Sequence, residues 1–108
     1  NYLNKVSAAI QDYVESNGYG VVRDYVGHGI GRDMHEDPEI PNYRTGRPGP
    51  KLVKGMTLAI EPMVTVGTYK VHTLPNRWTV VTNDGSDSAH YENTVLVTDN
   101  EPELLTLV

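Results

Sequence analysis

The chain is 108 residues long, the size of one domain, with 38% hydrophobic and 21% charged residues. Fourteen Asp and Glu against nine Lys and Arg leave a net charge of −5, which argues against a surface built to neutralise nucleic-acid phosphates. Cysteine is absent, excluding disulfide frameworks, thiolate metal sites and thiol nucleophiles. No apolar run approaches the ~20 residues of a membrane span, and no signal-peptide pattern is present.

The chain opens Asn1-Tyr2-Leu3, without Met and already in a helical pattern, so a piece of a longer chain is expected. Leu3, Val6, Ile10, Tyr13 and Val14 recur at helical spacing, with Lys5, Gln11, Asp12 and Glu15 opposite and Asn17-Gly18 as the stop. Such an amphipathic helix needs a partner for its apolar face. In Gly27-His28-Gly29-Ile30-Gly31 the glycines alternate, so an extended chain puts them on one face and His28 on the other. Alternating glycine marks the close approach of another backbone or a ligand. Residues 37–50, rich in Pro and Gly, read as a long loop.

Thr57 to Val66 reads as a strand with Leu58, Ile60, Val64 and Val66 on one face and Ala59, Glu61 and Met63 on the other. Pro62 has no N–H for a ladder, which predicts an edge position or a bulge there. Trp78–Thr82 and Ala89–Thr98 read as two strands of a hairpin closed by Asn83-Asp84-Gly85-Ser86. On the second, Tyr91, Val95 and Val97 share one face, and His90, Glu92 and Thr94 the other. The fold class is α+β in one domain, residues 1–108, an amphipathic helix followed by a mostly antiparallel sheet.

His28, Glu61 and Glu92 stand where an ordinary strand would carry apolar or Thr side chains. A carboxylate in an apolar strand is costly to bury unless paired or bound to a cation. Two carboxylates and an imidazole from separate strands would suit a divalent metal. Patterning alone equally allows Glu61 and Glu92 on a solvent face, and for His28 alone it favours a satisfied structural histidine over a ligand. Other motifs fail: the glycine spacing is not the dinucleotide fingerprint, and His35-Glu36 lacks the second His of a zinc helix. His72 and His90 stand alone and read as surface positions, and Asp84 and Asp87 belong to a turn.

The run from Gly27 to Pro38, Gly-His-Gly-Ile-Gly-Arg-Asp-Met-His-Glu-Asp-Pro, closely resembles the first-histidine segment of methionine aminopeptidases, and Ile40-Pro41-Asn42-Tyr43 continues the likeness. Gly55-Met56-Thr57-Leu58-Ala59-Ile60-Glu61-Pro62-Met63 is similar to their next segment. Trp78-Thr79-Val80 and Ser88-Ala89-His90-Tyr91-Glu92-Asn93-Thr94 are similar to the last. Among the pita-bread metallopeptidases, type I fits best. His90 stands where Gln is usual and Asn93 where His is common.

The resemblance implies the C-terminal half of a pita-bread fold and a cytoplasmic, dinuclear enzyme that removes Met from nascent polypeptide N-termini. It implies two divalent ions, Mn, Fe, Co or Zn, held by two Asp, one His and two Glu. Here His28, Glu61 and Glu92 would be three of the five, with Glu92 bridging, and the two Asp would come from an absent N-terminal half. It further implies Glu61 as general base, His35 as donor to the scissile oxygen, and Met34 and Trp78 beside His35 in the substrate pocket. Neither nucleic acid nor membrane is an expected partner. Two rival readings are a metal-free binding module on the same fold and a half-fold that associates with itself.

Overall fold

Helix α1 (Leu3–Ser16) forms over the stretch with helical apolar spacing. It ends in a left-handed turn, Gly18 at φ 84°, with Gly18 N donating to Glu15 O and Tyr19 N to Val14 O. No side chain caps its N-terminus. The proline-rich segment does so instead, since Leu3 N donates to Pro50 O and Asn4 N to Pro48 O, each at 2.9 Å. The coordinates are a computed structural model describing residues 1–106.

Among the described residues ten short strands follow: β1 (Gly20–Val21), β2 (Gly27–Gly29), β3 (Glu36–Ile40), β4 (Thr57–Ile60) and β5 (Met63–Thr65), then β6 (Val71–Thr73), β7 (Val80–Thr82), β8 (Ser88–His90), β9 (Asn93–Leu96) and β10 (Glu103–Leu104). They make three antiparallel sheets, ordered β1-β5-β8, β10-β9-β4-β2-β3 and β6-β7. The arrangement is the expected helix followed by antiparallel sheet. Leu3, Ile40 and Leu58 are buried between α1 and the back of the five-stranded sheet, with Val6, Leu52, Met56, Ile60 and Val97 packed around them. Each fully buried Leu or Ile contributes about 1.5–3 kcal/mol by leaving water. Because the apolar residues take the back, the front face is left to polar side chains.

Four expectations need correction. First, of its apolar stripe the helix fully buries Leu3 alone, and the polar Ser7 and Gln11 are buried with it. The loop it meets carries backbone groups needing partners, and Gln11 Oε1 accepts from Arg44 N at 2.6 Å. Tyr13 is 75% exposed, and Val6, Ile10 and Val14 line an open apolar groove of about 690 Å³ with Leu52 and Pro62. Second, part of the proline-rich loop is strand β3, whose Pro38 is tolerated because β3 lies at a sheet edge.

Third, Pro62 marks neither an edge nor a register slip, since β4 and β5 each lie between two neighbours and the chain changes sheet at Glu61-Pro62. Fourth, the turn at 83–86 forms, with Gly85 at φ 76°, but closes no hairpin: β7 pairs with β6 and β8 with β5. The Asp84 carboxylate accepts from Thr68 N at 2.9 Å and Ser86 N at 3.0 Å, tying the turn to the loop between β5 and β6. That link directs the chain out of one sheet and into the other.

Two predictions follow from these contacts. A Cβ at Gly27 would lie 2.2 Å from the Ala59 carbonyl oxygen, which is backbone and cannot step aside. Gly27→Ala should therefore cost roughly 1–3 kcal/mol or more, the usual range for overpacking, and lower the thermal midpoint. An unchanged midpoint would contradict the close packing of β2 on β4.

The second concerns acid. The Thr68 backbone N–H, then the Ser86 hydroxyl and N–H, hold the Asp84 carboxyl at about 2, below its ordinary 3.8. A depressed carboxyl stabilises the fold above the unfolded value, and that contribution is lost as pH falls through the folded one. Denaturant titrations should show stability declining between pH 3.8 and about 2, and Asp84→Asn should flatten that segment.

Candidate metal centre

The site is made by two strands that kink together. On one side of the kink Ile60 pairs with Asn93, and on the other Met63 pairs with His90, in one unbroken register. Glu61 therefore stands directly across from Glu92. Tyr91 N donates to Pro62 O at 3.3 Å within the kink. Alternation along the strands puts Ala59, Glu61 and Met63 on the same face as His90, Glu92 and Thr94.

The third strand brings the imidazole. His28 pairs with Ala59, two residues before Glu61, so it lies on the same face and reaches over a methyl group. The flanking glycines make this possible: Gly27 lies against the Ala59 carbonyl and Gly29 against the Asp37 carbonyl, with no room for a Cβ at either. The alternating glycines thus admit backbone on both sides of β2. In consequence one ligand atom from each of His28, Glu61 and Glu92 lies within 4.8 Å of the others. His28 and Glu61 are largely covered, while Glu92 is exposed.

The donor set suits a cation. His28 Nδ1 lies 2.9 Å from Gly29 O, and a carbonyl only accepts, so Nδ1 carries the proton. In the neutral ring Nε2 then presents a lone pair, and it faces Glu61 Oε2 at 3.1 Å. That distance would suit an ion pair, yet Oε2 is buried with no aligned donor among the described residues. Two acceptors facing each other call for a cation or a proton between them. The opposed carboxylates of Glu61 and Glu92 add to that demand. An imidazole with two carboxylates is a donor set suited to a divalent metal ion.

His35 joins this group, its ring centroid 4.0 Å from that of His28. His90 is exposed, as its reading as a surface position requires, but it does not stand alone: its Nε2 lies 3.7 Å from Glu61 Oε1. The clue to it in the sequence is its position two residues before Glu92, on the same strand face. A cavity of about 740 Å³ opens over His28, His35 and Glu61, and Tyr25 and Met63 also line it. Met34 and Trp78 are 71% and 89% exposed and are not among the residues lining it. Trp78 sits at the tip of the β6–β7 hairpin, where Asn76 Oδ1 accepts from the N–H groups of Trp78 and Thr79. Asp12 and Asp24 do not join the cluster, and Asp12 pairs with Arg44. Among the described residues no helix is long and apolar enough to cross a membrane.

Residues 1–99 match the model of metallopeptidase family M24. The chain is 72% identical to a methionine aminopeptidase of Clostridium acetobutylicum, over 99% of this chain and 43% of that protein. It is 53% identical to methionine aminopeptidase 1 of Bacillus subtilis, over 98% of this chain and 43% of the relative. Among solved structures, the methionine aminopeptidase of Thermotoga maritima superposes with a TM-score of 0.92 at 57% identity, covering 97% of this chain and 42% of that one. That of Rickettsia prowazekii gives a TM-score of 0.91 at 44% identity, covering 98% and 43%. This chain belongs to metallopeptidase family M24, matches part of the methionine aminopeptidase pita-bread structure, and spans about two-fifths of the length of these relatives.

Proposed function

We propose that this chain is the C-terminal half of a type I methionine aminopeptidase, forming one structural unit over residues 1–108 and acting with the N-terminal half. The observation that carries this reading is the convergence of His28, Glu61 and Glu92 on one sheet face in an M24 chain. The substrate class is nascent polypeptides beginning with Met, and the compartment is the cytoplasm. Two divalent ions are the cofactors, with His28, Glu61 and Glu92 as three of the ligands and the others from outside this chain. When bound, such ions lower the pKa of a water and polarise a carbonyl oxygen.

The chain's own groups do the rest. His28 offers Nε2 because Gly29 O keeps the proton on Nδ1. Glu61, with His28 Nε2 3.1 Å from one carboxylate oxygen and His90 Nε2 3.7 Å from the other, accepts the proton of the attacking water as general base. His35, whose ring lies beside that of His28, donates an N–H to the scissile oxygen as negative charge develops there. Met34 and Trp78 are free to meet the substrate side chain, and a thioether and an indole suit methionine. The groove lined by Val6, Ile10, Tyr13, Val14 and Pro62 receives part of the absent half.

Two measurements check this. The 108-residue chain alone, with Mn or Co, should release no methionine from Met-Ala-Ser, and activity should appear when the absent half is supplied in trans. Full turnover by the isolated chain would refute the assignment as a half-enzyme. In the reconstituted enzyme, His35→Ala should retain its Co but lose about 10²–10³ in kcat, the typical worth of one oxyanion donor. Glu61→Gln should lose both Co affinity and rate. An unchanged kcat in His35→Ala would remove His35 from the mechanism.

A further inference from the structure

The side chain following His35 has no part in the chemistry above, yet it organises the loop that carries His35. Glu36 opens β3 and pairs with Gly29, while Ile30 is fixed to Thr57, Ile30 N donating to Thr57 O at 3.0 Å. Between these anchors, residues 31–35 leave the sheet. Glu36 folds its carboxylate back into that excursion, Oε2 accepting from Asp33 N at 3.1 Å. Asp33 in turn accepts from Gly31, Gly31 N donating to Asp33 O at 3.1 Å. The carboxylate lies against Gly31 so closely that a Cβ there would meet Oε1 at 2.5 Å and Oε2 at 3.2 Å. Gly31 does not have the left-handed φ that favours glycine, so it is the space for the carboxylate that requires glycine here.

We infer that Glu36 is a positioning residue that holds the His35 imidazole over His28, with Gly31 as the seat of its carboxylate. This rests on the role proposed for His35. The ring of His35 lies beside that of His28, centroids 4.0 Å apart and planes tilted by 38°, and is carried there by residues 31–35. Without the carboxylate, Asp33 N loses its acceptor and the loop loses its link between Gly31 and the first residue of β3. Glu36 is therefore committed to backbone, unlike Asp37 and Glu39, which share the cavity lining without holding the loop.

The geometry supplies selective variants for the complete enzyme, this chain with its N-terminal half. Gly31→Ala displaces only the flexible end of Glu36, so the fold survives while the anchor moves. Glu36→Ala removes the anchor, and Glu36→Gln keeps an oxygen that accepts from Asp33 N. Gly31→Ala and Glu36→Ala should each lower kcat about 10- to 100-fold, the effect of ångström-scale misplacement, with KM and Co content retained. Glu36→Gln should restore kcat to within about threefold of wild type, and the double variant should be no worse than either single one. Additive losses, failure of Glu36→Gln to rescue, or normal kcat in Glu36→Ala when His35→Ala is impaired would each overturn the inference. Should His35→Ala prove fully active, the reading of His35 fails separately, and amide hydrogen exchange at Asp33 and His35 decides for Glu36. Faster exchange in Glu36→Ala upholds the anchor; unchanged exchange rejects it.

Discussion

Two carboxylates face each other across an unbroken antiparallel register, and the front of the molecule is arranged around that placement. Like charges directly opposite on paired strands are destabilising. Glu61 and Glu92 nevertheless take such positions at the point where both strands pass from one sheet to the next. The kink frees the ladder there, and Pro62 supplies a residue without an N–H to satisfy. His28 enters from the neighbouring strand over Ala59, and its ring leaves Glu61 Oε2 buried without an aligned donor. A divalent cation resolves both conflicts at once: it neutralises the opposed carboxylates and supplies what two facing acceptors lack.

The back of the molecule serves that front. Glycines at 27 and 29 allow β2 to press against β4 and β3, which keeps His28 within reach of Glu61. Leu58 and Ile60, alternating with Ala59 and Glu61, hold the same strands to α1 through the apolar core. The core is small: it takes Leu3 from the apolar stripe of α1 and leaves Ile10, Tyr13 and Val14 in an open groove. A chain that spans about two-fifths of its relatives' length and leaves such a stripe uncovered has the surface of one part of a larger unit.

Much of this was legible in the residues themselves. The alternating glycines around His28 announced a close backbone approach, and Glu61 and Glu92 stood out because their strand neighbours are apolar. What patterning could not carry was partner choice. The turn at 83–86 has hairpin chemistry, but Asp84 binds Thr68, and a side-chain bond to a distant backbone leaves no mark on local periodicity. Ser7 and Gln11 look like solvent residues until Arg44 and its loop arrive from more than thirty positions away. His90 looks solitary because its neighbour Glu61 lies on another strand. Each miss is a long-range contact overriding a correct local signal.

His28, Glu61 and Glu92 are proposed to hold one metal centre. Anomalous-difference crystallography of the chain with its N-terminal half, grown with Mn, tests it most directly. Anomalous density is expected within coordination distance of His28 Nε2 and of carboxylate oxygens from both Glu61 and Glu92. Density confined to other residues, or the three side chains turned apart with the metal bound elsewhere, would contradict it.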